Sequence, residues 1–224
     1  MDKYSRNEDC WYKEVCLADP SECANCIKFM EMQYLMENSN LPKNRQRPQQ
    51  LYAPDVDLGA YARLADIKSD IVNFVDNGKC LYITGDVTGN GKTSWAIKLM
   101  LKYFDEIWSG NGFNVRGLFV HVPTFLLKCK DFKNTDPAFE KLKRQLLNVD
   151  LVIWDDIAST DLSGYDFSQL LAYLDSRCLS ELSNIYTGNL DSYDKLASKI
   201  GNKLASRIYS SQTEIITLKG GDMR

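Results

Sequence analysis

Short apolar runs and helical stripes alternate along most of the chain. Leu81-Tyr82-Ile83 and Leu151-Val152-Ile153-Trp154 are unbroken apolar runs. With no polar alternation, such runs suit strands covered on both faces of a parallel sheet. Between them the pattern predicts a helix near 92–104, a strand near 115–122, a helix near 123–130 and a charged helix near 136–147. An acidic strand at 150–155 follows. Beyond it, Phe167, Leu170, Leu171, Leu174 and Cys178 form one apolar stripe at helical period. Asn184–Asn189 reads as another strand, 191–209 as helices and Glu214–Leu218 as a last strand, while Asp55–Asn77 reads as a helix leading into the first strand at 81–84. This alternation predicts a doubly wound α/β domain with a mostly parallel five-stranded sheet.

The N-terminal part reads differently. Cys10, Cys16, Cys23 and Cys26 fall close together, and Cys23-Ala24-Asn25-Cys26 has the spacing of half a zinc knuckle. Four thiolates can close a tetrahedral zinc site, which would stabilise a segment too short to fold on an apolar core. An iron–sulfur cluster or four unrelated thiols are the alternatives. The single histidine, His121, ends a strand-like run and reads as structural. Residues 27–36 are helical in character. Residues 37–50 are polar, contain prolines and lack periodicity, so they read as a solvated linker. Their basic side chains, Lys43, Arg45 and Arg47, leave a phosphate-contacting strap as the other possibility. The expected division is a cysteine-rich zinc-binding module over 1–36, a linker over 37–50 and a nucleotide-binding domain over 51–224.

With 224 residues, 44% of them hydrophobic, the chain can bury a core of ordinary size. A net charge of −3 does not advertise nucleic-acid binding, so any such site must be a local basic patch. The polar N-terminus and the lack of a long apolar run predict a cytoplasmic protein with reduced thiols and no membrane partner.

Chemistry concentrates at residues 85–93, Gly-Asp-Val-Thr-Gly-Asn-Gly-Lys-Thr, between the first strand and its helix. Glycines let backbone N–H groups converge on phosphates, and the helix N-terminus favours negative charge. This is a P-loop, with Gly89, Asn90, Gly91, Lys92, Thr93 and Ser94 as the expected ATP-binding positions. Lys92 would reach the β- and γ-phosphates, and the Thr93 hydroxyl would bind Mg²⁺. One irregularity stands out: Asp86 occupies the place of the usual first glycine, and Gly85 comes one residue early. The acidic strand supplies the partner motif. Asp155 would hold Mg²⁺, and Asp156 would polarise the water attacking the γ-phosphate.

Gly89-Asn90-Gly91-Lys92-Thr93, Asp155-Asp156-Ile157, Thr187-Gly188-Asn189-Leu190, Ser206-Arg207-Ile208 and Gly220–Arg224 together resemble the AAA+ ATPases of the DnaC/DnaI helicase-loader group, including its phage-type members. The resemblance runs over about residues 51–224, and the four-cysteine N-terminus is similar to that of the DnaI-type loaders. It implies that Asn189 senses the γ-phosphate, that Arg207 reaches a neighbouring subunit's nucleotide and that Arg224 contacts nucleotide in cis. It also implies a core without a helical lid domain. Single-stranded DNA would be gripped by the helix after the second strand and the loop after the acidic strand, here Lys130, Phe132, Lys133 and Tyr165.

The implied function is an ATPase that self-associates through its AAA+ interface, binds a hexameric replicative DNA helicase and places it on single-stranded DNA. The cofactors would be ATP, Mg²⁺ and Zn²⁺. An IstB-like transposition helper shares the core, but the cysteine-rich N-terminus favours the loader. A GTPase is disfavoured, because the nearest guanine-reading match, Asn202-Lys203-Leu204-Ala205, lacks its acid. A nucleotide-binding adaptor without turnover is the non-enzymatic alternative.

Overall fold

In the computed structural model, residues 7–46, 50–131 and 136–222 are described. Five strands form one sheet: β1 (Cys80–Thr84), β2 (Gly117–His121), β3 (Leu151–Asp155), β4 (Ser183–Gly188) and β5 (Thr213–Thr217). Their order is β2-β3-β4-β1-β5, and every neighbouring pair is parallel. The expected mostly parallel sheet is therefore wholly parallel among the described residues.

Strand residues alternate between two cores, as the period of 2 requires. Leu81, Ile83, Leu151, Ile153 and Ile185 face one core, completed by α1 (Ile27–Asn38), α2 (Leu58–Ser69), α3 (Ile71–Asp76) and α4 (Lys92–Ile107). Tyr82, Val152, Trp154 and Tyr186 face the other, built with α5 (Val122–Cys129), α6 (Pro137–Gln145), α7 (Gly164–Leu179), α8 (Tyr193–Ile200) and α9 (Asn202–Ile208). Both faces are covered, which explains the unbroken apolar runs.

Two elements differ from their sequence reading. The helix expected over Asp55–Asn77 is divided at Asp70, whose φ of −121° and ψ of 33° leave the helical region. Its carboxylate accepts a 2.6 Å bond from the Asn73 side chain, the kind of local partner that draws Asp out of helix interiors. The second difference lies in residues 39–46, which are anchored along the sheet edge. The Phe119 N–H of β2 donates to Ser39 O at 2.7 Å, and Asn40 Nδ2 donates to Phe119 O at 2.8 Å. Leu41 is buried in the first core. This segment thus occupies hydrogen-bonding groups that an edge strand would leave open.

The N-terminal segment rests on the far end of α4. Tyr12 donates to Asp105 at 2.6 Å, and Lys28 pairs with the same carboxylate at 3.1 Å. Burial opposes ionisation of Asp105, yet these two donors hold its pKa below the ordinary carboxylate value. Met32, Leu35 and Met36 of α1 are buried in the first core. Among the described residues, no helix is long and apolar enough to cross a membrane.

Candidate functional site

The strand order brings the carboxyl ends of β1, β3 and β4 side by side, where open parallel sheets bind ligands. β1 passes into the loop of residues 85–91, and α4 begins at Lys92. Gly85 has φ +153°, and a Cβ there would lie 2.1 Å from Leu218 O. The early glycine therefore answers to a backbone approach from the chain leaving β5, while Asp86 projects outward, exposed. Gly91, at φ +97°, turns the loop into the helix in a left-handed conformation that suits glycine.

Lys92 is 8% exposed. Its ammonium donates to Gly85 O at 2.9 Å, Val87 O at 2.8 Å and Asn90 Oδ1 at 3.0 Å. Burial lowers its pKa, while Asp156, Asp86 and Asp155 favour the charged form. Asn90 is buried as well, and its Nδ2 donates to Leu218 O at 3.0 Å, so one side chain ties the lysine to the end of β5. Thr93 Oγ1 donates to Asp155 Oδ1 at 2.7 Å, and Thr187 Oγ1 donates to the same oxygen at 2.7 Å. The Asp156 N–H in turn donates to Thr187 Oγ1 at 3.0 Å.

Asn90, Lys92, Thr93, Asp155 and Thr187 border one cavity of about 1040 Å³, together with Ser94, Asp156 and Asn189. That space is ample for a nucleoside triphosphate. The residues fit one: a glycine cradle, a buried ammonium, and hard oxygen donors on Thr93 and Asp155 of the kind Mg²⁺ takes. The cavity's other wall is Asn44, Arg45, Gln50, Leu51 and Tyr52, from the segment expected to be a linker and its junction with the domain. Sequence reading did not single out Thr187 as a site residue; the available signal was a hydroxyl in the strand beside the acidic one.

With sheet order and site in view, the fold can be assigned. It is that of an AAA+ core. The crystal structure of the DnaC helicase loader matches with a TM-score of 0.65 at 23% identity, covering 80% of this chain and 100% of that one. A crystal structure of DnaI matches at 0.62 and 18% identity, covering 82% and 94%. AMPPCP-bound DnaA from Aquifex aeolicus matches at 0.56 and 14% identity, covering 84% of this chain and 50% of that one. No protein-family model matches the sequence. No curated protein matches it either.

Around this AAA+ core the remaining expected residues distribute unevenly. Arg207, on α9, lies away from the P-loop cavity. It pairs with Asp175 of α7 and borders a small cavity with Gly78 and Cys80, at the opposite end of β1 from the P-loop. Arg224, Phe132 and Lys133 lie outside the described residues. Lys130 and Tyr165 come together where α5 ends and α7 begins. Tyr165 donates to Cys129 O at 3.1 Å, and Lys130 pairs with the buried Asp166 at 2.8 Å. Asp166 is the acid of a capping box with Ser163, which fixes the start of α7. Burial opposes ionisation of Asp166, but Lys130 and Ser163 hold its pKa low.

Cys10, Cys16, Cys23 and Cys26 all border one cavity of about 350 Å³, alongside Phe29 and Trp108. Among the described residues, no group of three or more His, Cys, Asp or Glu side chains is close enough to hold a metal. Of the other thiols, Cys80 and Cys129 are buried and Cys178 is half-buried.

Proposed function

We propose that this chain is an ATP-hydrolysing helicase loader. The observation that carries the reading is the convergence of Lys92, Thr93, Asp155, Asp156 and Asn189 on one cavity, in a fold shared with the full length of the DnaC structure. Phosphoryl transfer is mostly positioning and charge stabilisation. Lys92 balances the β- and γ-phosphates, its ammonium exchanging loop carbonyl acceptors for phosphate oxygens. A magnesium ion at Thr93 and Asp155 would supply further neutralisation of the developing charge. Asp156 accepts a proton from the attacking water, and Asn189 orients the γ-phosphate. Arg207 acts on the nucleotide of an adjacent protomer, and Arg224 on its own.

In this reading residues 1–36 grip a hexameric replicative helicase, with Zn²⁺ held by Cys10, Cys16, Cys23 and Cys26. The four thiols border one cavity, and zinc binding would draw them closer together than they stand. Residues 51–224 form the self-associating ATPase. Single-stranded DNA runs past Lys130 and Tyr165, where a lysine beside an aromatic suits backbone neutralisation with base stacking; Phe132 and Lys133 extend that stripe in the sequence.

The test is ATP turnover by the purified chain, alone, with single-stranded DNA, and with a replicative helicase, combined with co-sedimentation of the helicase. Turnover together with helicase binding supports the loader. ATP binding without turnover in any combination returns the reading to an adaptor.

A further inference from the structure

We infer that Arg45, outside the P-loop and the acidic strand, is a nucleotide-phosphate ligand, and that residues 39–46 carry occupancy of the site to the cysteine-bearing N-terminal segment. This rests on the nucleotide-binding reading of the cavity.

The first observation is where the guanidinium sits. Arg45 Nη1 donates to Ser94 Oγ at 3.2 Å, and both residues border the nucleotide cavity. Ser94 is the third residue of α4. The first N–H groups of a helix lack intrahelical acceptors, and the helix dipole attracts anions there. Arg45 is thus tied by its own hydrogen bond to the turn that faces the phosphates. Charge points the same way. The described residues bordering the cavity include two carboxylates, Asp155 and Asp156, and two cations, Lys92 and Arg45. A triphosphate carries more negative charge than Lys92 alone offsets, and a guanidinium can engage phosphate oxygens with two parallel donors.

The second observation is what the segment is fastened to. Next to Arg45, Gln46 O accepts the Trp11 indole N–H at 2.9 Å. Trp11 packs on Phe29 with ring centroids 5.5 Å apart, and Phe29 borders the cavity of the four cysteines. At its other end, the segment is pinned to β2 through Ser39 and Asn40. One backbone step therefore separates a residue at the phosphate turn from a residue bonded to the N-terminal segment. A segment fixed at both ends transmits a pull on Arg45 where a slack tether would absorb it. By linkage, a partner bound at the N-terminal segment changes nucleotide affinity by the factor with which nucleotide changes partner affinity.

The experiment uses the full chain. ATP and ADP affinities are measured by titration calorimetry for wild type, Arg45→Gln, Arg45→Lys, Trp11→Phe and Lys92→Ala. Amide hydrogen exchange over residues 7–30 is followed with and without ADP. Gln keeps a polar amide but removes the charge and the guanidinium's reach to Ser94. Arg45→Gln should weaken both nucleotides about ten-fold, in line with a charge-assisted hydrogen bond, and Arg45→Lys should recover part of the loss. ADP should slow exchange over residues 7–30 in wild type. That protection should vanish in Arg45→Gln and also in Trp11→Phe, which keeps nucleotide affinity. Wild-type affinity in Arg45→Gln, with Lys92→Ala weakened, overturns this inference alone, as does protection that persists without Arg45. A wild-type chain that binds neither nucleotide overturns the nucleotide reading as well.

Discussion

Thr187 donates its hydroxyl hydrogen to Asp155 Oδ1 at 2.7 Å and accepts the Asp156 backbone N–H at 3.0 Å. A single hydroxyl on β4 thereby holds Asp155, the last residue of β3, and Asp156 in the turn after it. Asp156 needs holding, because its φ of +62° lies in the left-handed region, which costs a non-glycine residue about 1 kcal/mol or more. The Ile157 N–H adds a bond to Thr187 O at 3.0 Å, so the turn after β3 is stitched to β4 at successive residues.

Thr187→Val keeps shape and volume but removes that hydroxyl. It should destabilise the fold by about 1–3 kcal/mol, since Asp155 is buried and loses a donor. ATP turnover should fall while ATP binding changes little, because Lys92 and the glycine loop stay intact. Thr187→Ser should restore both stability and turnover. Urea melts and steady-state ATPase assays on the two variants decide it; wild-type turnover in Thr187→Val would remove the residue from the site's machinery.

Lys92→Ala and Asp156→Asn should fail in different ways. The Lys92 ammonium is buried against three oxygens of the loop and is proposed as the counter-charge to the phosphates. Its loss should abolish tight ATP binding. Asp156→Asn should leave affinity near wild type and slow hydrolysis by two or more orders of magnitude, roughly the worth of a positioned general base. Titration calorimetry and single-turnover kinetics separate the two effects. Equal loss of binding in both variants would show the roles to be misassigned.

The sequence made the sheet legible because both faces are buried: runs such as Leu151–Trp154 have no other use. Parallel pairing could be expected from the alternation of strands and helices, but the strand order could not, because β1 sits between β4 and β5, a placement no local run records. The P-loop core could be seen, but the reason for its early glycine could not, because Gly85 answers to Leu218 at the other end of the domain. The same holds for residues 39–46. Their polar composition imitates a free linker, yet the partners of Ser39, Asn40 and Arg45 are distant in sequence.

Arg177 is the clearest case of a residue hidden by its type. The α7 stripe pointed to Leu174 and Cys178, but Arg177 is fully buried while Cys178 is half-exposed. Its guanidinium donates to Leu146 O, Val149 O, Ser183 O and the Asn184 side chain at 2.7–2.9 Å. Burial pushes its pKa down to about 10, and the ring of carbonyls replaces the lost water. A charged residue is read from sequence as solvated, so nothing marked it for the core.

Zinc should be present at one ion per chain, held by Cys10, Cys16, Cys23 and Cys26. Chelation should then increase hydrogen exchange over residues 7–30 and leave the main melting transition in place, because the sheet and its two cores do not depend on those thiols. Metal analysis by mass spectrometry, with exchange measured before and after chelator, is the check. Iron with sulfide, or no metal in protein purified without chelator, overturns the zinc assignment.

Arg207 tests whether the site is completed by a second copy of the chain. It pairs with Asp175 and lies at the end of the sheet opposite Lys92, so it cannot serve its own nucleotide without a large rearrangement. An exposed ion pair of this kind is worth little to the fold, about 0–1 kcal/mol. Arg207→Ala should therefore melt close to wild type and bind ATP normally, yet lose most hydrolysis in the assembled state, since an arginine finger is worth about 10³–10⁵ in rate. Asp175→Asn supplies the structural control: it breaks the same ion pair while leaving the arginine in place, and should retain turnover. The deciding experiment mixes Arg207→Ala with Lys92→Ala. Each variant is inactive alone, but a mixed interface joins the intact P-loop of the first to the intact arginine of the second. Partial recovery of turnover, rising and falling with the mixing ratio, is the expected result, and neither a cis role nor a purely structural role can produce it. If light scattering shows that mixed assemblies form and turnover stays at the level of the single variants, Arg207 is not a trans-acting finger.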